Sequence, residues 1–175
     1  MRLAPLRFVD RARLSELLIA TAAFSTEEVA VALELFDTCH PAEASAASEG
    51  RDDTSDYEFT GAYDGDRLIG YVCFGPTPAT DGTFDLYWLA VDPAAQGRGA
   101  GRALVKSVEQ ELARRGGRLL VVETSSRADY ASTREFYARG GYAEAARVRD
   151  FYAPADDRII LTTRLTLQEG GVATQ

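Results

Sequence analysis

Hydrophobic and polar residues change their period along the chain in an order that predicts a mixed α/β fold. Alternation at every second residue is typical of strands, and apolar positions three and four apart are typical of helices. The predicted order is strand, two helices, three strands, helix, strand, helix and two strands. Strands are predicted over Leu3–Phe8, Tyr57–Tyr63, Arg67–Phe74, Thr83–Val91, Leu119–Glu123, Tyr142–Arg149 and Arg158–Leu165, and helices over Arg11–Ala23, from Ser25 through Phe36, over Gly99–Arg115 and over Tyr130–Arg139.

Polar residues at the boundaries indicate where several elements begin and end. Asp10 is expected to cap the first helix, and Ser25 with Glu28 forms a capping-box pattern for the second. Asp64-Gly65-Asp66 is a hairpin-turn signal. The succession of strand, helix and strand over residues 83–123 implies a right-handed parallel crossover, so we expect a mixed sheet with helices on its faces.

A chain of 175 residues is long enough for one domain with its own hydrophobic core. We expect this domain to span residues 1–167, with a disordered tail over residues 168–175. Pro41–Asp56 is small, polar and acidic, and is expected to form a surface loop within the domain.

Composition narrows the classes of partner. The formal net charge is −8 at pH 7, which argues against binding to nucleic acid or to an anionic membrane. No apolar run is long enough to span a bilayer, and the first residues lack the apolar core of a signal peptide. Cys39 and Cys73 make no disulfide framework, which favours a reducing, cytoplasmic setting. His40 is the only histidine, so a histidine-based metal cluster is excluded and no metal is expected.

The glycine-rich stretch Gln96–Arg102 carries the first functional signal. It opens a predicted helix, where the first backbone N–H groups have no partner inside the helix and attract anions, phosphates above all. Glycines at 97, 99 and 101 let the backbone approach a ligand closely, and Arg98 and Arg102 add positive charge. The alternative is a glycine-lined turn that binds no ligand.

Two motifs at the expected separation resemble those of the GNAT superfamily of N-acetyltransferases. The first is Gln96-x-x-Gly99-x-Gly101 after a strand that ends in Leu89-Ala90-Val91. The second is Phe136-Tyr137-Ala138-Arg139-Gly140-Gly141-Tyr142. The resemblance covers roughly Leu3 to Leu165. It implies an α/β (α+β) fold with a mixed, mostly antiparallel central sheet, helices on both faces, and a parallel, splayed pair formed by the fourth and fifth strands.

The resemblance also implies an acyltransferase that moves the acetyl group of acetyl-CoA to a primary amine of a small molecule or peptide. The amine would attack directly in a ternary complex, because the motifs contain no cysteine to carry an acyl group. Two alternatives are the same fold with a longer acyl-CoA and a non-catalytic acyl-CoA-binding regulatory module. The expected partners are acetyl-CoA and an amine-bearing acceptor, and the family resemblance is compatible with a homodimer.

The resemblance assigns roles to individual residues. Backbone groups of Leu89–Val91 would pair with the pantetheine amides, and Gln96–Arg102 would hold the pyrophosphate. Tyr137 would be the general acid beside the thioester sulfur, and the N–H of Val91 or Ala90 would stabilise the oxyanion. Tyr130 stands where many members carry asparagine, and Thr133 stands where alanine is common. The cofactor-binding set is therefore Leu89, Ala90, Val91, Gln96, Gly97, Arg98, Gly99, Ala100, Gly101, Arg102 and Tyr130.

The general base is left open among three candidates. Asp85 stands where histone-type members carry a glutamate, and Glu123 ends the next strand; ordered water could also accept the proton of the amine. The acceptor is expected to meet the variable segments Phe24–Thr38, Gly75–Gly82 and Asp150–Asp157, or Ser125 and Ser126 at the end of the fifth strand.

Overall fold

The computed structural model describes residues 1–40 and 56–166. Most of the predicted loop at Pro41–Asp56 and the predicted tail lie outside these residues. The strands are β1 (Arg2–Pro5), β2 (Glu58–Asp64), β3 (Arg67–Pro76), β4 (Thr83–Val91), β5 (Leu119–Ser125), β6 (Ala143–Ala153) and β7 (Asp156–Arg164), and the helices are α1 (Arg11–Thr21), α2 (Thr26–Cys39), α3 (Ala100–Arg114) and α4 (Ala131–Arg139).

The strands form one sheet in the order β1-β2-β3-β4-β5-β7-β6. The sheet is mostly antiparallel, with β4 and β5 as its parallel pair, which confirms the predicted fold class. The start of β5 lies beside the start of β4, because the N–H groups of Arg118 and Leu119 both donate to the carbonyl of Gly82. Two strands that start at the same edge of a sheet run parallel.

The chain divides into two compact units. Unit 1 lies within Met1–Pro76 and Leu86–Lys106, and unit 2 within Thr77–Asp85 and Ser107–Gln175. Both β4 and α3 contribute residues to each unit. Within the described residues, no helix is long and apolar enough to cross a membrane.

Unit 1 has helices on both faces of its strands. The fully buried side chains of Leu14, Leu17 and Leu18 belong to the same apolar cluster as Tyr71 of β3. The next residue back, Gly70, faces the other way, and a Cβ there would come within 3.4 Å of Leu104 on α3. Neighbouring residues of a strand point to opposite faces, so α1 and α3 cover opposite sides of β3.

The capping predictions had different outcomes. Ser25 and Glu28 form the predicted capping box, with reciprocal bonds of 3.2 Å and 2.7 Å. Asp10 stands at the N-cap position of α1, as predicted, but its side chain makes no capping bond to that helix, and its backbone is helical at the end of a 3-10 turn over Phe8–Asp10. Its carboxylate instead accepts hydrogen bonds from the Arg7 N–H and the Tyr63 hydroxyl, both at 2.9 Å.

Unit 2 pairs β7 with β5 on one side and β6 on the other, both antiparallel. The predicted loop at Asp150–Asp157 is wrong, because β6 runs to Ala153 and β7 begins at Asp156. The Asp150 and Asp157 carboxylates accept the N–H groups of Ala155 and Asp150, at 2.6 Å and 3.0 Å. These bonds satisfy backbone donors next to an interruption in the strand pairing, so a polar segment can remain extended there.

Candidate active site

The glycine stretch joins β4 to α3 through a short, ordered turn. Asp92 is the N-cap of a 3-10 turn over Pro93–Ala95, and Gln96 follows in an extended conformation. Helix α3 begins at Ala100. We call Gln96–Arg102 the glycine loop. Its position at the start of a helix is the one predicted from the sequence.

Gly97 and Gly99 have the backbone conformation that glycine alone adopts at low cost, with φ of 74° and 84°. A Cβ added at either position would meet no atom of the described residues within 4 Å. These glycines are therefore required by the path of the chain, and the space beside them is open. That space is compatible with a phosphate group lying against the backbone.

The first turn of α3 supplies backbone donors next to this space. The Ala103 N–H makes a 3.0 Å bond to the carbonyl of Gly99, which marks the start of the helical bonding pattern. The N–H groups of Ala100, Gly101 and Arg102 come before it and have no acceptor inside the helix. Together with the helix dipole, they form the arrangement that binds phosphates at helix starts.

The two arginines of the loop differ in their surroundings. Arg102 is exposed. Arg98 is also exposed, but its guanidinium lies 2.9 Å from the carboxylate of Asp64 at the β2–β3 hairpin. The positive charge of Arg98 is thus partly offset before any ligand arrives.

Residues 89–91 belong to the core through their side chains. Ala90 is buried in the cluster that includes α1, while Leu89 and Val91 are half-buried. Gly70 of β3 lets β4 approach closely, since a Cβ there would lie 3.0 Å from the Ala90 carbonyl oxygen. The predicted role of this strand concerns its backbone and not these side chains.

Tyr137, in unit 2, is buried on α4, with only 3% of its surface exposed. Its ring packs edge-on against Phe136 and Tyr142, with centroids 5.1 Å apart in both cases. Among the described residues, no hydrogen-bond partner of its hydroxyl is found, and burial raises the pKa of Tyr137 above its usual range. Tyr142 provides a contrast, because its hydroxyl donates to Glu109 at 3.0 Å.

The two candidate bases, also in unit 2, are both hydrogen-bonded. Asp85 is half-buried and accepts a bond of 2.6 Å from the Thr77 hydroxyl. Glu123 is ion-paired with Arg158, and this partner could not be foreseen from the sequence. The two carboxylates therefore differ in partner, a hydroxyl for Asp85 and a guanidinium for Glu123.

The remaining candidates lie at the end of β5 and the start of α4. Tyr130 is half-buried and immediately precedes α4. Ser125 donates a hydrogen bond to the buried Asp156, and the Ser126 hydroxyl accepts the Asp157 N–H at 2.8 Å. Both serines thus connect β5 to the β6–β7 hairpin, which gives them a structural function.

Comparisons with known proteins identify the class of protein. Residues 22–142 match the sequence model of the Acetyltransferase (GNAT) family. The chain therefore belongs to the GNAT family of acetyltransferases, and it is an acyltransferase. No curated protein matches the sequence.

A GNAT-family protein from Desulfovibrio desulfuricans is similar in both sequence and structure. It has 39% sequence identity and a TM-score of 0.82, with 94% of this chain and 100% of that chain covered. This similarity agrees with the match to the family.

Two further solved structures share the fold at low identity. An aminoglycoside 6'-N-acetyltransferase complexed with coenzyme A has 18% identity and a TM-score of 0.70, covering 94% of this chain and 97% of that one. The ribosomal-protein-S18-alanine N-acetyltransferase from Escherichia coli has 22% identity and a TM-score of 0.67, covering 99% and 98%. The acceptors named for these two proteins differ, so the fold does not identify an acceptor.

Proposed function

We propose that this protein transfers the acetyl group of acetyl-CoA to a primary amine by direct attack in a ternary complex. The observation that carries the proposal is the open, donor-lined start of α3. There Gly97 and Gly99 leave space beside N–H groups that the helix does not use. The pyrophosphate of acetyl-CoA would bind to these groups, assisted by Arg102.

The acyl end of the donor would lie upstream along β4. If the pyrophosphate occupies the glycine loop, the pantetheine arm extends past Val91 and Leu89, where backbone groups would pair with its amides as an added strand does. The splayed separation from β5 that this pairing needs is part of the proposal. In the same scheme, an N–H group of Ala90 or Val91 stabilises the oxyanion.

Tyr137 is proposed as the general acid. Its raised pKa keeps the hydroxyl protonated throughout the neutral range, so the hydroxyl can donate to the sulfur as negative charge develops. The hydroxyl of Tyr142, by contrast, is already committed to Glu109. The free hydroxyl and the family motif both favour Tyr137 for this role.

For the general base, the contacts favour Asp85 or water over Glu123. The Glu123 carboxylate is already occupied by its ion pair with Arg158 and would have to leave that pair to reach an amine. Among the residues that the structure describes, the hydrogen-bond donor found at Asp85 is the Thr77 hydroxyl. An Asp85→Asn variant that keeps full turnover would exclude Asp85, and full turnover in Glu123→Gln as well would assign the base to water.

A panel of amines tests the activity. Purified protein is mixed with acetyl-CoA and single amines, free thiol is measured with a chromogenic disulfide, and the acetylated product is identified by mass spectrometry. We expect amine-dependent thiol release with at least one amine. Saturable binding of acetyl-CoA without thiol release from any amine would instead support the acyl-CoA-binding module. Faster release from longer acyl-CoAs would identify a different donor.

We also propose a cellular location and an oligomeric state for the protein. Within the described residues, Cys39 and Cys73 form no disulfide, and we propose a reducing, cytoplasmic environment. The homodimer compatible with the family resemblance is tested by sedimentation of the purified protein.

A further inference from the structure

The geometry points to a positioning role for Asp92, a residue just outside the glycine loop. We propose that Asp92, held by Arg13 and Arg67, sets the shape of the glycine loop and so determines the affinity for acetyl-CoA. This inference rests on the proposed function, because it concerns the same donor site. We call Asp92 and its two arginines the arginine brace.

Asp92 is fixed by hydrogen bonds in three directions. Its N–H donates to the Ile69 carbonyl of β3 at 2.9 Å, and its own carbonyl accepts the Ala95 N–H at 2.8 Å. Its Oδ1 atom accepts the Ala94 N–H at 2.9 Å. These bonds join the end of β4, the neighbouring strand and the 3-10 turn, so the point from which the glycine loop departs is fixed.

The other carboxylate oxygen of Asp92 receives both arginines. Arg13 of α1 contacts Oδ2 through Nη2, and its Nε donates to the Leu68 carbonyl at 3.1 Å. Arg67, at the start of β3, lies 3.1 Å from the same oxygen. The carboxylate is only 9% exposed and Arg13 is 23% exposed, whereas Arg67 is 64% exposed. Arg13 is therefore expected to contribute more than Arg67, because solvent screens exposed pairs.

The negative charge of Asp92 needs an explanation, because Asp92 lies just before the proposed pyrophosphate site. The Ala94 N–H, together with Arg13 and Arg67, holds the pKa of Asp92 below its usual range, so the carboxylate is charged at neutral pH. A negative charge four residues before Gln96 opposes an incoming pyrophosphate unless cations neutralise it. A carboxylate is useful at this position because it bonds the turn through one oxygen and the arginines through the other.

The β2–β3 hairpin contacts the same region at a second point. Asp64 pairs with Arg67 in the strand register, and Asp64 also lies 2.9 Å from Arg98 within the glycine loop. One hairpin thus contacts both the turn before the loop and the loop itself. This second contact supports a role of the surrounding elements in holding the loop.

Asp92→Asn tests the brace with little change in shape. Asparagine keeps an oxygen for the Ala94 N–H but loses the charge that attracts the arginines. We expect the KM for acetyl-CoA and its Kd by calorimetry to rise about tenfold, equivalent to about 1.4 kcal/mol. The kcat and the KM for the amine should stay unchanged. Arg13→Gln should reproduce the effect, and Arg13→Lys should restore part of it.

Asp37→Asn is the matched control. Asp37 is also held by an arginine of α1, since Arg11 Nε lies 2.5 Å from its Oδ1. This pair joins α1 to α2, and within the described part of the chain no hydrogen bond connects it to the glycine loop. Its loss should leave the KM for acetyl-CoA unchanged. An equal rise in both variants would assign the effect to general destabilisation and overturn the proposal.

The other outcomes are separable. A lower KM in Asp92→Asn would show that the charge of Asp92 only repels the donor, and an unchanged KM would show that neither the charge nor its arginine contacts affect binding. Either result contradicts the brace. If Asp92→Asn does not fold, the Arg13→Gln and Arg13→Lys pair decides in the same way. If the wild-type protein itself does not bind acetyl-CoA, the proposed function fails. If it binds and the Asp92 and Arg13 variants bind equally well, only the brace fails.

Discussion

The two ends of α3 have similar glycines and opposite surroundings. Gly99 at the start and Gly116 just after the end have almost the same φ, 84° and 83°, and a Cβ at either would contact no described atom within 4 Å. At the C-terminal end of α3, carbonyl groups of the helix itself accept the N–H groups that follow it. The Gly117 N–H donates to the Leu112 carbonyl at 2.8 Å and the Gly116 N–H to the Ala113 carbonyl at 3.1 Å.

At the start of α3, no carbonyl of the helix itself can accept the first N–H groups. Its first N–H groups precede the Ala103–Gly99 bond, and the space beside Gly97 and Gly99 is open. A glycine with positive φ is therefore common to both ends and does not by itself indicate a ligand. Backbone donors left over beside the glycine are what distinguish a binding site from a helix stop.

The largest expected effect comes from placing the same charge at each end. Gly99→Glu should abolish saturable acetyl-CoA binding, because its carboxylate would occupy the space of the pyrophosphate and repel it. Gly116→Glu imposes the same backbone conformation on a glutamate at the far end and should leave binding intact. Calorimetry with acetyl-CoA measures both variants. Equal binding by the two variants would remove the glycine loop as the phosphate site.

A second prediction concerns Tyr137, whose ring is buried but whose hydroxyl has no hydrogen-bond partner among the described residues. Tyr137→Phe should lower kcat about 100-fold, because the thiolate loses its proton donor, while the Kd for acetyl-CoA stays the same. Thiol-release kinetics measure this change.

Tyr142→Phe is the control for that experiment. Tyr142 is similarly buried, but its hydroxyl bonds Glu109 on the second half of α3. Its removal should cost about 1 kcal/mol of stability and leave turnover unchanged. Tyr137→Phe with wild-type turnover would exclude Tyr137 as the acid.

A third prediction tests whether the turn at Gly117, after the C-terminal end of α3, is tightly packed. A Cβ at Gly117 would lie 2.9 Å from the Leu112 carbonyl oxygen and 3.0 Å from side-chain atoms of Leu165 and Phe84. Gly117→Ala should therefore lower the free energy of unfolding by about 1–3 kcal/mol, measured by urea denaturation, without changing acetyl-CoA affinity. Wild-type stability in this variant would mean that the turn is not tightly packed.

The smallest expected effect is a pH-dependent one at Tyr63 of β2, in unit 1. The Tyr63 hydroxyl donates to Asp10 at 2.9 Å, and burial, followed by that bond, raises the pKa of Tyr63 to about 12 from 10.0. A raised pKa stabilises the fold below pH 10, and the contribution is lost as the pH approaches 12.

Tyr63→Phe should therefore be less stable than wild type by about 1 kcal/mol at pH 8. The difference should shrink between pH 10 and 12, as followed by urea denaturation at each pH. A difference that stays constant over this range would assign it to packing rather than to the bond with Asp10. Acetyl-CoA affinity at pH 8 should be unchanged, because the bond lies outside the glycine loop.

Elements of the fold were predicted correctly where a few adjacent residues determine them. The Ser25–Glu28 box, the turn between Asp64 and Arg67, and the start of α3 at the glycine loop each depend on a few adjacent residues. Asp10 was predicted at the correct N-cap position, but its side chain bonds Tyr63, which is distant in sequence, and that bond competes with helix capping. The extended Asp150–Asp157 segment was missed because its carboxylates satisfy the backbone across an irregular hairpin.

Some parts of the candidate site could be predicted from the sequence and others could not. The glycine loop could be located because its glycines and its helix are contiguous in the sequence. The aspartate before Pro93 is a typical N-cap signal that could have drawn attention to Asp92. Its partner Arg13, like the Arg158 partner of Glu123, lies at a sequence distance where periodicity carries no information.

Backbone amide NMR during a titration with acetyl-CoA tests the central claim most directly, because it reports each end of α3 separately. The account predicts saturable shifts of the Gly97, Gly99 and Gly101 amide signals, with Gly116 and Gly117 unaffected. Saturable shifts at Gly116 and Gly117 without any at the glycine loop, or no shifts at any of these glycines, would contradict it.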